Sequence, residues 1–259
     1  MRTEKKSIHI IRFKQEASES WIEEVALDEP VCIFVNGDYH ATLIATPDQK
    51  RELALGYLLT GGVITSIQEV KSIGFRGGDI FVDLWRDVDL REASINIMNL
   101  IVTSCGSRVE AKPLKLHRIE SELTIKAEIL LKMFAVVNKR SRIHMRTRGT
   151  HSALLCSGAG EIQAFAEDVG RHNAVDKVIG SMLMKGRCLS NCVLVTSGRL
   201  SGEIVQKAVM GRVPIVASLT VPLASGIRMA ESAGVTLASL SRGWLKVYSN
   251  PERIRINKG

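Results

Sequence analysis

The sequence is short of aromatic side chains and of long apolar segments. Phe, Trp and Tyr make up 5% of its 259 residues, and no basic stretch is interleaved with aromatics in the way that stacks nucleic-acid bases. No run approaches the roughly 18 to 20 apolar residues that span a bilayer, and the first residues turn polar too soon for a secretory h-region. We therefore expect a cytoplasmic protein that binds neither membrane nor nucleic acid.

The five cysteines are odd in number and scattered, at Cys32, Cys105, Cys156, Cys188 and Cys192. Without an export signal, such a set favours reduced thiols over a disulfide framework. The sequence also lacks a C-x-x-C pair and an H-E-x-x-H motif. We expect no bound metal, zinc included.

The net charge is +8, with 35 basic and 27 acidic side chains, and it is unevenly distributed. Residues 112–148 hold ten basic and three acidic side chains. Such an excess attracts anionic partners. With so few aromatics, we expect a phosphorylated small molecule, although a solvated helix face explains any single charge equally well.

The sequence pattern differs between the two parts of the chain. Residues 1–117 show short alternating strands, a hairpin turn at Asn36-Gly37-Asp38 and one helix from about Asp48 to Gly61, which predicts a smaller N-terminal α+β subdomain built around antiparallel strands. Residues 118–259 alternate near-continuously apolar strands with helices, which predicts an α/β domain with a largely parallel sheet and helices on both faces. The helices are expected at Glu122–Asn138, Asn173–Lys185, Glu203–Met210 and Pro222–Ala233.

Three polar segments follow predicted strands, where open α/β sheets gather ligands. Two of them, residues 167–177 and 196–203, cross from a strand into a helix N-terminus, which favours an anion. A capping network at the first helix start is the alternative for Asp168 and Asn173, and a simple helix start explains residues 196–203 equally well. We select as candidate cofactor-binding residues Asp168, Arg171, His172, Asn173, Ser197, Gly198 and Arg199.

The third segment, residues 240–245, joins two late strands. Its Arg-Gly turn can hold a phosphate, and Trp244 can stack on a base or cover the core. The candidate residues here are Leu240, Ser241, Arg242, Gly243, Trp244 and Leu245.

Cys105 differs from the other cysteines in its surroundings. It follows an apolar run within Thr103-Ser104-Cys105-Gly106-Ser107-Arg108, whereas the other four lie in or beside apolar strands or at a helix exit. A polar loop exposes the thiol, and the neighbouring basic charges favour its thiolate, which is the nucleophilic form. Cys105 is therefore the candidate catalytic residue.

The chain resembles the formate dehydrogenase accessory sulfurtransferases, the FdhD/NarQ family. The motifs that carry the resemblance are EDVGRHNAVDKVIG (167–180), TSGRLSGEIVQKA (196–208), ALGYLLTGGVI (54–64), the VNG turn (35–37) and VYSNPERI (247–254). The resemblance implies a cytidine-deaminase-like mixed sheet with helices on both faces, without the zinc signature. We also expect a homodimer.

The resemblance further implies a sulfur carrier. Cys105 would take sulfur from a cysteine desulfurase as a persulfide and pass it to the molybdenum bis(molybdopterin guanine dinucleotide) cofactor, which formate dehydrogenase then receives. Residues 240–245 would be the cofactor-binding segment, and we place residues 167–177 and 196–203 in the same pocket.

One departure from the family pattern keeps an alternative open. The family usually shows C-G-x-C-G in this loop, and here Arg108 replaces the second cysteine. Either Cys105 alone carries the persulfide, which we favour, or the chain is a cofactor-binding chaperone without sulfur transfer. A zinc-dependent deaminase is disfavoured because H-x-E and P-C-x-x-C are missing.

Overall fold

The computed structural model describes residues 2–12, 17–88 and 118–256. Residues 89–117, which include the Cys105 loop and end at the proposed domain boundary, lie outside these residues. The described chain begins with a two-stranded antiparallel arm, formed by β1 (Thr3–Arg12) and β2 (Ala17–Ala26). The exposed side chains of Trp21 and Ile22 lie on this arm.

A four-stranded sheet with one helix follows the arm, as the α+β prediction requires. Its strand order is β4-β3-β6-β5. The elements are β3 (Glu29–Val35), β4 (Asp38–Ala45), α1 (Lys50–Thr60), β5 (Val70–Arg76) and β6 (Asp79–Leu84).

The predicted hairpin turn is confirmed, but the sheet is not purely antiparallel. Asn36 and Gly37 have φ of 51° and 89°, the left-handed pair that a two-residue hairpin turn requires. Each hairpin is antiparallel. The two hairpins lie side by side, however, and β3 pairs with β6 in parallel.

The second half of the chain forms a six-stranded sheet, the main sheet, in the order β13-β12-β11-β10-β8-β9. The prediction of a largely parallel sheet is wrong, because three of its five strand pairings are antiparallel and only the β10–β11 and β11–β12 pairings are parallel. The strands are β8 (His151–Ser157), β9 (Ile162–Asp168), β10 (Cys192–Thr196), β11 (Ile215–Ser218), β12 (Thr236–Ser241) and β13 (Trp244–Ser249).

Helices cover both faces of the main sheet, as expected. Neighbouring residues of β8 point to opposite faces and show this. Leu154 belongs to the apolar core formed with α2, and Leu155 belongs to the apolar core formed with α4 and α5. The helices are α2 (Ala127–Arg140), α3 (Arg142–Thr147), α4 (Arg171–Met184), α5 (Gly202–Met210) and α6 (Ala224–Ala233). The fold is thus mixed α/β, while the likeness to cytidine deaminases stays a prediction.

Helix α2 starts later than its apolar pattern predicts. The periodicity predicts a start at Glu122, but Ile125–Lys126 form a short strand, β7, that pairs with β14 (Ile254–Arg255). The helix begins after that pairing, at Ala127. Its predicted apolar stripe is otherwise correct, since Leu130 and Phe134 are buried.

The two halves of the chain meet where α1 crosses α4. A Cβ on Gly180 would lie 1.9 Å from the Glu52 carbonyl oxygen, and one on Gly56 would lie 1.9 Å from the Asp176 carbonyl oxygen. Only glycine allows backbones to approach so closely. This contact gives a physical reason for the glycines of two quoted motifs, and one apolar core runs through both halves.

Candidate functional site

One edge of the main sheet carries all three predicted polar segments. Strands β9, β10, β11 and β12 run in the same direction, so their carboxyl ends share an edge. The 167–177, 196–203 and 240–245 segments follow β9, β10 and β12. Four strand spacings of about 4.8 Å separate β9 from β12, so this carboxyl edge is roughly 19 Å long.

Asp168 and Asn173 use their polar atoms within the protein. The Asp168 carboxylate is fully buried and accepts hydrogen bonds from the Gly170 amide at 2.8 Å and from Asn173 Nδ2 at 3.0 Å. Asn173 Nδ2 also donates to the Ile44 carbonyl oxygen. Asp168 and Asn173 are therefore engaged within the protein, but no side chain caps the first turn of α4, so the capping alternative is not confirmed. A ligand contact by either residue stays a prediction.

Lys177 neutralises this buried carboxylate. Its ammonium is fully buried and lies 2.7 Å from Asp168 Oδ2 and 2.8 Å from Asp48 Oδ1, and it donates to the Thr46 carbonyl oxygen. Because Thr46 and Asp48 belong to the loop between β4 and α1, the cluster fixes α4 to the first half of the chain. We call Asp168, Lys177 and Asp48 the buried anchor.

Arg171 and Gly198 join the first two segments. A Cβ on Gly198 would lie 2.8 Å from the Arg171 Cβ. The backbone after β10 can therefore approach α4 this closely only because residue 198 is glycine. Arg171 Nε is buried and has no hydrogen-bond partner among the described residues. A buried unpaired N–H is costly, which makes Arg171 a candidate ligand contact.

His172 links α4 to α5 as a neutral imidazole. Its Nε2 lies 3.2 Å from Glu203 Oε2. Burial, assisted by the nearby cations Lys207 and Arg171, lowers the pKa of His172 to about 3. The ring is therefore uncharged at neutral pH, and it can donate its N–H to the Glu203 carboxylate.

His151 is a residue of the carboxyl edge that the sequence pattern missed. It opens β8, which runs antiparallel to β10, so its position at this edge appears only once the pairing is known. Its pKa is lowered, first by burial and then by the charges of Arg171, His144 and Arg199. Those contributions place His151 within the field of two arginines from two different segments.

Ser197 and Arg199 differ in their exposure. Ser197 continues the pairing of β10 with β8, since its amide donates to the Ser152 carbonyl oxygen and its Oγ accepts from the Ser152 amide, both at 2.9 Å. Arg199 is exposed. Ser197 thus has a structural role, and Arg199 is free to contact a ligand.

The 240–245 segment is a tight hairpin that presents two side chains to solvent. Ser241 pairs with Trp244, and the turn residues Arg242 and Gly243 have φ of 52° and 80°. The left-handed conformation is uncommon for arginine. Trp244 is 72% exposed, so it does not cover the core. Leu240 and Leu245 instead pack at the α2 side of the sheet.

Of the described cysteines, Cys32 is half-buried beside Thr42 and Cys188 is exposed at the opposite edge. Cys156 and Cys192 are buried, and burial raises the pKa of the first to about 12 and of the second to about 11. Cys188 is exposed, and hydrogen bonding to Ser190 lowers its pKa. It precedes the amino end of β10, away from the carboxyl edge.

The carboxyl edge has the chemistry of an anion site. Exposed or unpaired guanidinium groups of Arg171, Arg199 and Arg242 follow three strand ends, and the imidazoles of His151 and His172 are held towards their neutral form. Within residues 2–12, 17–88 and 118–256, no cluster of three or more His, Cys, Asp or Glu side chains is arranged to hold a metal ion. In that same part of the chain, no helix is long and apolar enough to cross a membrane.

The fold and the edge define a mixed α/β protein with a basic carboxyl edge, and comparisons with known proteins identify its family. The sequence model of the FdhD/NarQ family matches residues 26–255. The chain therefore belongs to the FdhD/NarQ family, as the motifs predicted.

Named relatives and a solved structure agree with this assignment. The chain is 34% identical over 256 residues to a protein of Saccharolobus solfataricus named "Sulfur carrier protein FdhD", covering 96% of this chain and 98% of that protein. A Thermoplasma acidophilum protein of the same name is 34% identical, with 92% and 88% covered. The crystal structure of a protein described as a formate dehydrogenase accessory protein, from Desulfotalea psychrophila, matches with a TM-score of 0.81 and 26% identity over 98% of this chain and 100% of that one.

Proposed function

We propose that this protein is a sulfurtransferase of the carrier type, required for formate dehydrogenase activity. It accepts sulfur from a cysteine desulfurase as a persulfide on Cys105 and passes it to the molybdenum bis(molybdopterin guanine dinucleotide) cofactor, which formate dehydrogenase then receives. Membership of a family whose relatives are named sulfur carriers supports the sulfur role. The observation that carries the cofactor role is the position of three arginines, Arg171, Arg199 and Arg242, after three strand ends of the carboxyl edge.

The edge suits a guanine dinucleotide in charge, shape and length. Arg171, Arg199 and Arg242 supply positive charge for pyrophosphate. Trp244 offers an exposed ring on which a guanine can stack. The edge is roughly 19 Å long, so an extended dinucleotide can touch more than one of the three segments at once.

The sulfur step needs one nucleophilic thiolate. The Cys105 thiolate attacks the outer sulfur of the donor persulfide, the donor S–S bond breaks, and the donor cysteine leaves as a thiolate. In the second step, the outer sulfur moves to the molybdenum centre of the cofactor, which supplies the electron pair that makes it sulfide. Cys105 regains its thiolate as the S–S bond breaks, so no second cysteine is consumed.

The replacement of the family's second loop cysteine by Arg108 is compatible with this scheme, because a single carrying thiol completes the cycle. Arg108 adds positive charge three positions after Cys105 in the sequence. We further propose that the protein acts in the cytoplasm as a homodimer.

Rescue of formate dehydrogenase activity tests the proposal. In cells that lack their own accessory protein, the unaltered chain is expected to restore activity and Cys105→Ala is expected to restore none. Cys188→Ala is the matched control, because it removes an exposed thiol distant from the carboxyl edge. Full rescue by Cys105→Ala would contradict sulfur transfer through that residue.

The cofactor-binding chaperone remains the second candidate, and the absence of the second loop cysteine favours it. It predicts that Cys105→Ala still rescues activity while Arg242→Ala does not. The carrier proposal predicts that both substitutions abolish rescue.

A further inference from the structure

A basic groove lies between the N-terminal arm and the outer strand of the main sheet, and it reaches the carboxyl edge at Glu167. It encloses about 1220 Å³. Its walls are β1, the last turn of α2, the start of α3 and strand β9, and its lining includes the apolar side chains Val136, Ile162 and Phe165. A second section of about 470 Å³ continues along β9 and shares several of these residues.

One wall of the groove is an open strand edge. Among residues 2–12, 17–88 and 118–256, β9 is the last strand of the main sheet and pairs with β8 alone. The Phe165 carbonyl oxygen accepts from Gln49 Nε2, and the Gln163 carbonyl oxygen accepts from Lys185 Nζ, so both carbonyls point away from β8. In an antiparallel pair, the N–H and C=O of one residue point to the same side. The Phe165 N–H therefore also faces outward, where an added strand can pair with it.

The charge of the groove is unbalanced. Lys139, Arg140 and Arg142 line it at the junction of α2 and α3 and form no ion pair with any described residue. The acidic lining residues are already engaged: Glu24 with Arg146, Glu4 with Lys6, and Glu167 with the Ile143 and His144 amides. An occupant must therefore bring negative charge.

We propose that this groove binds an acidic, extended segment of a partner protein, which adds to the open edge of β9 as a further strand. The main-chain groups favour a polypeptide over a phosphate or a nucleic acid, since only a polypeptide offers N–H and C=O groups in strand register. The seven residues of β9 provide room for a segment of about six residues at roughly 3.3 Å each. The excess basic charge of the groove fits an acidic partner better than a second copy of this chain, whose net charge is +8, so the proposed homodimer is expected to form through another face. The inference does not rest on sulfur transfer.

Fluorescence anisotropy of the full-length protein with a labelled hexapeptide of alternating glutamate and valine tests the groove. Arg140→Glu with Arg142→Glu is expected to weaken binding by about tenfold or more. Arg228→Glu with Lys246→Glu changes the net charge equally, at exposed positions outside the groove lining, and is expected to change it by less than about twofold. The same peptide with every backbone N–H methylated, which keeps the charge and has no main-chain donor on either edge, is expected to bind about tenfold more weakly.

Four results would overturn the proposal. If both charge-reversed proteins lose the same affinity for the peptide, net charge alone explains the binding. If the N-methylated peptide binds as tightly as the unmodified one, strand pairing does not contribute. Tighter binding of single-stranded oligothymidylate at the same residues would assign the groove to nucleic acid. Self-association that the groove substitutions abolish, measured by sedimentation, would assign it to a second copy. If the double reversal lowers the melting temperature, Arg142→Gln alone provides the folded variant, with an expected loss of about threefold.

Discussion

The carboxyl edge consists of a buried anchor and an exposed rim, and these two regions use charge in opposite ways. In the anchor, Asp168 and Lys177 are fully buried and neutralise each other. In the rim, Arg242 and Trp244 face solvent without a described ion pair or core contact. The contrast separates two roles that the sequence mixes within the same polar segments. The anchor holds the strand ends in place, and the rim is available to a ligand.

The largest expected effect is in the anchor. Lys177→Met leaves the Asp168 carboxylate buried without its counter-charge, and we expect a loss of about 3–5 kcal/mol in the free energy of unfolding. Lys132→Met, at an exposed position of α2, is the control and is expected to change it by less than about 0.5 kcal/mol. Urea denaturation followed by circular dichroism measures both. A loss below about 1 kcal/mol for Lys177→Met would show that the anchor does not fix the edge.

A smaller effect is expected at His172 and concerns how the free energy of unfolding depends on pH. Burial holds the pKa of His172 at about 3, below its ordinary value of 6.5, so the unfolded chain binds a proton there that the folded chain does not. Stability is therefore lost as pH falls below about 6.5, and between pH 7 and pH 5 this residue contributes a loss of about 2 kcal/mol.

His172→Gln isolates that contribution, because glutamine keeps an N–H for Glu203 and does not titrate. We expect the stability of the variant to fall less between pH 7 and pH 5, by about 2 kcal/mol, in urea titrations at both pH values. Identical pH dependence of the two proteins would show that His172 titrates normally.

The smallest effect is expected in the rim and concerns binding. Arg242→Asn removes a charge while keeping a residue that tolerates φ of 52°. We expect GDP binding to weaken by about tenfold, or about 1.4 kcal/mol, with unchanged or slightly higher stability. Arg212→Asn is the matched control, because Arg212 is also exposed and left-handed, with φ of 57°, but follows the far end of α5. Calorimetric titration distinguishes them, and equal losses would refute a specific role for the hairpin.

Local patterns predicted most of the elements because their causes are local. The Asn36-Gly37 turn and the stop of α4 before Gly186 follow from left-handed positions that glycine and asparagine favour. The late start of α2 was missed because it depends on a strand 129 positions along the chain, where Ile125 pairs with Ile254.

In the candidate site, too, some features could be predicted from local sequence and others depend on distant parts of the chain. The clustering of the three polar segments was predictable, since strands of like direction end at one edge. The roles of individual residues were not, because Asp168 and Asn173 contact Thr46 and Ile44, which no spacing in the sequence relates to them. His151 was missed for a similar reason, since it stands at the start of an antiparallel strand rather than at the end of a parallel one.

Sulfur loading tests the central claim most directly. The protein is incubated with a cysteine desulfurase and cysteine, digested, and examined by mass spectrometry for thiols that have gained one sulfur atom. The account predicts the gain on the Cys105 peptide and its loss in Cys105→Ala, with the exposed Cys188 unmodified. Loading on Cys188, or on no cysteine at all, would contradict it.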